Sequence, residues 1–93
     1  MPRDKADVIA GLKRKGFQDG KSSHHKYYVY KTLDGKISKV FTYVGHSGKD
    51  LSDYLLSQMA RQCKVKREDF LKLIDCPLSQ RQYEALIREN GIL

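Results

Sequence analysis

Asp34-Gly35 separates two runs rich in β-branched and aromatic residues, 24–33 and 36–44. A two-residue type I′ turn needs positive φ at both central positions, and Asp-Gly supplies it at little steric cost. The dipeptide therefore predicts a hairpin whose register the turn fixes. Counted outward, Leu33 opposes Lys36, Val29 opposes Val40, Tyr27 opposes Thr42 and His25 opposes Val44. His24 then faces Gly45 and Ser23 faces His46, so His24 and His46 meet at the open end of one hairpin.

Side chains alternate along a strand, and the register sorts them into two faces. Tyr27, Val29, Leu33, Val40 and Val44 form an aliphatic face suited to packing on helices. His24, Lys26, Tyr28, Tyr30, Lys39, Phe41 and Tyr43 form the other. That face interleaves aromatic rings with cations, a pattern that serves stacked bases and phosphates. Tyrosine is amphipathic, so further protein could equally cover the same face.

Helices flank the hairpin. Val8, Ile9 and Leu12 make one apolar stripe on a helix over 4–15, with Lys13, Arg14 and Lys15 crowding its last turn and Gly16 as its C-cap. Phe17-Gln18-Asp19 leaves room for a short first strand before Gly20. After the flexible run Gly45-His46-Ser47-Gly48-Lys49, Asp50 reads as the N-cap of a helix over 51–63. Arg67–Ile74 is a shorter helix, and Ser79-Gln80-Arg81-Gln82 is a capping box that opens a last helix ended by Gly91. The expected fold is a single α+β unit: helix, three-stranded antiparallel sheet, helix, then two short C-terminal helices.

Net charge is +7, and its distribution is lopsided. Residues 1–49 hold 11 Lys/Arg and 4 Asp/Glu, whereas residues 50–93 hold 7 of each. A one-sided basic surface is the usual footprint of a polyphosphate partner, and it can also be a solvated lysine surface. No apolar run is long enough to span a membrane, and no hydrophobic signal segment follows Met1-Pro2-Arg3-Asp4-Lys5. Cys63 and Cys76 are far apart without metal-ligand spacing and read as reduced, half-buried thiols of a cytoplasmic protein.

The basic half contains the densest chemistry, Ser22-Ser23-His24-His25-Lys26-Tyr27. Histidine exchanges protons near neutral pH. RNA cleavage requires a base for the 2′-hydroxyl, a cation for the phosphate and an acid for the leaving oxygen. Neutral His24 can be the base, Lys21 or Lys26 the cation, and His46 the acid, although from its position alone His24 reads first as a polar strand-end residue that hydrogen-bonds its loop. Positioned acid–base catalysis supplies roughly 10²–10⁴-fold. Adjacent residues of a strand point to opposite faces, so His24 and His25 cannot chelate one ion, and no metal or cofactor is expected.

The order of helix, glycine, short strand, Ser-His-His-Lys-Tyr, hairpin and helix resembles the HicA family of toxin ribonucleases. The matching residues are Leu12, Gly16 and Phe17, then Ser23, His24, His25 and Tyr27, then Val44, His46 and Gly48, then the helix from Leu51. Residues 1–65 would be the HicA-like unit, with 66–93 a helical extension packed on it. Ser22 stands where the family usually has glycine. The resemblance implies a fold like the double-stranded-RNA-binding domain, His24 as the catalytic histidine, and metal-free RNA cleavage. It also implies neutralisation by a HicB-like antitoxin. Lys21, Ser23, Lys26, Tyr28, Lys39 and Tyr43 are the expected RNA contacts. An RNA-binding module without catalysis and a protein-interaction domain are the rival readings, and the oligomeric state, an oligomer included, stays open.

Overall fold

A computed structural model describes residues 3–20, 26–44 and 50–93. A two-residue strand, β1 (Arg3–Asp4), leads directly into helix α1 (Lys5–Arg14). The Asp4 carboxylate accepts hydrogen bonds from the backbone N–H groups of Ala6 (2.8 Å) and Asp7 (3.3 Å), satisfying two donors that a helix start leaves open. Strands β2 (Phe17–Asp19), β3 (Tyr27–Lys31) and β4 (Ile37–Tyr43) form an antiparallel sheet in the order β2-β3-β4. A second two-residue strand, β5 (Asp50–Leu51), pairs with β1. Helices α2 (Asp53–Gln62), α3 (Arg67–Ile74) and α4 (Gln80–Glu89) complete the described chain.

The α+β architecture and the three-stranded antiparallel sheet agree with expectation. The hairpin register does not. The turn takes three residues, Leu33-Asp34-Gly35, and Gly35 alone has positive φ (+88°). Thr32 and Lys36 close it: Thr32 N–H donates to the Lys36 carbonyl (2.8 Å), and Gly35 N–H to that of Thr32 (2.9 Å). Lys31 consequently opposes Ile37, and a bulge in β4 then brings Val29 opposite Phe41, Tyr28 opposite Thr42 and Tyr27 opposite Tyr43. At the bulge the Ser38 hydroxyl donates to the Tyr30 carbonyl (2.8 Å). Odd residues of β3 now share a face with odd residues of β4, which inverts the predicted placement of β3.

Tyr28 (4% exposed) and Tyr30 (0%) therefore face the core with Val40, Thr42 and Val44. All described helices except the exposed surfaces of their turns contribute to that core: Val8 and Leu12 from α1, Leu56 and Met59 from α2, Phe70, Leu73 and Ile74 from α3, Tyr83 and Ile87 from α4. Phe17, Tyr30 and Tyr83 form an aromatic cluster with ring centroids 5.1–5.8 Å apart. Buried tyrosines are tolerable when their hydroxyls find partners. Tyr83 donates to the Cys63 carbonyl (2.8 Å), and Tyr30 to the Glu84 carboxylate (2.7 Å). Burial pushes both hydroxyls to far higher pKa values than usual, so they stay protonated and keep a proton to donate.

Two close contacts lock α1 to the C-terminal half. Gly11 lies so near Ile74 that a Cβ would fall 2.5 Å from the Ile74 carbonyl oxygen. The Lys15 ammonium, nearly buried, donates to the carbonyls of Leu73 and Leu78, both at 2.6 Å. Burial lowers its pKa from the ordinary lysine value.

Two helix starts bear on the sequence expectations. Asp50 does not cap α2, because pairing with β1 holds Asp50 and Leu51 extended, and Ser52 caps it instead (Leu55 N–H to Oγ, 3.3 Å). The Ser79/Gln82 capping box is present as predicted. Cys63 is fully buried and Cys76 exposed, rather than both half-buried.

Candidate functional site

In sequence, the residues expected to form the site flank described positions at one end of the sheet. Four described residues define the end of the sheet away from Asp34-Gly35. Gly20 N–H donates to the Tyr27 carbonyl (2.8 Å), and Val44 N–H donates to the Lys26 carbonyl (3.1 Å). Gly20 and Lys26 flank residues 21–25 in sequence, and Val44 precedes residues 45–49. His24, His46, Lys21 and Ser23, together with His25, lie outside the described residues. Lys26 is exposed immediately before β3.

Among the described residues, the sheet has one face on the helices and one face that no helix covers, the open face. The open face carries Gln18 from β2, Tyr27, Val29 and Lys31 from β3, and Ile37, Lys39, Phe41 and Tyr43 from β4. Phe41 is 40% exposed and Tyr43 47%, and Tyr27 and Val29 are half-buried. The three rings touch one another: Tyr27–Phe41 and Tyr27–Tyr43 at 5.9 Å between centroids, Phe41–Tyr43 at 5.3 Å. These tilted and edge-to-face contacts match the preferred geometry of aromatic pairs.

Lys39 and Tyr43 are therefore on the exposed face, as the sequence suggested. Tyr28 is not. Its ring lies in the core, 5.9 Å from the Lys13 ammonium, and burial together with nearby Asp19 raises its hydroxyl pKa. Tyr27 takes the place assigned to Tyr28, and sequence reasoning missed it because a two-residue turn was assumed. The surviving signal was parity. Phe41 and Tyr43 share one face with Lys39, as the alternation gives, and any register pairing them with odd residues of β3 places Tyr27 beside them.

The open face is held stiffly from beneath and from the side. The Gln62 side-chain oxygen accepts from both the Thr42 hydroxyl (2.7 Å) and the Tyr43 backbone N–H (3.0 Å), tying the outer edge of β4 to the end of α2. An edge N–H occupied in this way is also shielded from pairing with another strand.

No protein-family model matches this chain, and no curated protein matches it.

Proposed function

We propose that the chain is a HicA-like, metal-independent endoribonuclease on a fold resembling the double-stranded-RNA-binding domain, with His24 as the catalytic histidine. The observation that carries the reading is the hydrogen bond between Val44 N–H and the Lys26 carbonyl. His24 is two residues from Lys26, and His46 is two residues from Val44. Two imidazoles so tethered are within reach of one phosphodiester, since each intervening residue spans at most about 3.3–3.6 Å. Neutral His24 takes the 2′-hydroxyl proton, protonated His46 gives one to the leaving 5′-oxygen, and Lys26 or Lys21 offsets charge on the phosphate. The basic bias of residues 1–49 supplies the attraction for RNA. A HicB-like antitoxin is the protein partner this reading entails, and RNA the substrate.

The test is cleavage of a mixed-sequence RNA by the purified chain in the presence of a chelator. Wild type cuts, His24→Ala falls by about 10²-fold or more, and His46→Ala falls by a comparable factor. Equal rates for wild type and His24→Ala would remove the catalytic assignment.

A further inference from the structure

We infer that the open sheet face is a stacking platform for unpaired bases, so that the RNA taken by this chain is single-stranded. This rests on the ribonuclease reading and names its substrate class. Three mutually touching rings, Tyr27, Phe41 and Tyr43, stand on that face beside Val29 and Ile37. Among its described residues the charged groups are Lys31 and Lys39, and none is a carboxylate. An A-form duplex hides its bases and presents phosphates and 2′-hydroxyls across a shallow groove, which exposed rings do not serve. Unpaired bases offer π-faces to aromatic side chains whatever their sequence, while lysines at the rim follow the backbone.

The placement of the face agrees. Tyr27 directly follows Lys26, and Tyr43 directly precedes Val44, so the aromatic cluster abuts the end of the sheet from which the histidine-bearing segments leave. A strand stacked on Phe41 and Tyr43 continues toward that end. In the other direction, Lys31 and Gln18 border a groove of about 370 Å³ that Lys13 also lines. Because Gln62 anchors β4 beneath Tyr43, the rings are presented on a fixed surface. Little ordering then remains to be done on binding.

The experiment measures fluorescence anisotropy with a labelled oligouridine about twelve nucleotides long, 2′-O-methylated so that it cannot be cut, and with the same strand annealed to its complement. Cleavage of unmodified RNA by the same preparations is followed in parallel. Wild type is expected to prefer the single strand. Phe41→Ala and Tyr43→Ala each weaken single-strand binding by about 5- to 30-fold, with the salt slope unchanged. Phe41→Trp keeps a ring and retains affinity. Both positions are exposed, and circular dichroism confirms that the variants fold. If RNA is cleaved in a His24-dependent way while both alanine variants bind like wild type, or the duplex binds as well as the single strand, the platform is wrong and the ribonuclease reading stands. If no RNA is bound at low salt and none is cut, both fall.

Discussion

Replacing Glu84 by alanine removes the group that joins the hairpin to α4. One carboxylate oxygen accepts from the Tyr30 hydroxyl (2.7 Å) and from Leu33 N–H (2.8 Å), and the other from Arg88 (3.1 Å). Hydrogen bonds to a charged group are each worth about 1.5–3 kcal/mol. They do not count equally here. Leu33 is 53% exposed and Arg88 is half in solvent, so both recover water partners, and an i,i+4 ion pair adds only a few tenths of a kcal/mol. Tyr30 has no exposure, and its hydroxyl is left without an acceptor at about 1–3 kcal/mol. The expected loss is roughly 2–4 kcal/mol, a large share of the 5–15 kcal/mol typical of a domain. Urea unfolding followed by circular dichroism reads it as a lower midpoint at unchanged slope. Tyr30→Phe in the Glu84→Ala background should then cost much less than Tyr30→Phe alone, because the orphaned hydroxyl is gone. A loss below about 0.5 kcal/mol, or strict additivity of the two changes, would show that the Tyr30 hydroxyl does not depend on Glu84.

The same carboxylate shapes the acid limb of stability. Burial by itself raises the Glu84 pKa, but the Tyr30 hydroxyl, Leu33 N–H and Arg88 together hold it below the ordinary glutamate value. A depressed carboxylate stabilises the fold fully above its unfolded pKa of about 4.3 and loses that contribution as pH falls through the folded value. Glu84→Gln should therefore narrow the stability difference between pH 7 and pH 3, and an identical difference in wild type and variant would contradict the assignment. Gly11→Ala gains helix propensity of about 1 kcal/mol yet drives a methyl group into the Ile74 backbone. A net destabilisation of about 1–3 kcal/mol is expected by thermal unfolding, and a rise in Tm would show that α1 and α3 are not in such close contact.

Legibility in the sequence followed the range of the interactions. The Ser79/Gln82 capping box and the α3 bounds are local and were readable. Asp34-Gly35 located the hairpin, but not its turn class, because Thr32 and Lys36 close a three-residue loop instead. One residue of difference turned β3 over. The two-residue-turn register groups Tyr28 and Tyr30 with Lys39, Phe41 and Tyr43, and tyrosine suits either a wet or a covered surface. What makes Tyr30 a core residue is Glu84, 54 positions away. The β1–β5 ladder, two residues on each side, carries no periodic signal, and it displaced the α2 cap from Asp50 to Ser52. Of the candidate site, Lys39 and Tyr43 kept their predicted face, Tyr28 lost it and Tyr27 replaced it.

Under the proposed function, RNA meets this protein along the open face of the sheet and at the end marked by Lys26 and Val44. The most direct measurement is the amide NMR spectrum during titration with the uncleavable single-stranded oligouridine. The largest shifts are expected at Gly20, Lys26, Tyr27, Lys39, Phe41, Tyr43 and Val44, with α3 and α4 nearly unmoved. Shifts concentrated on α3 and α4, or none at low salt, would contradict it.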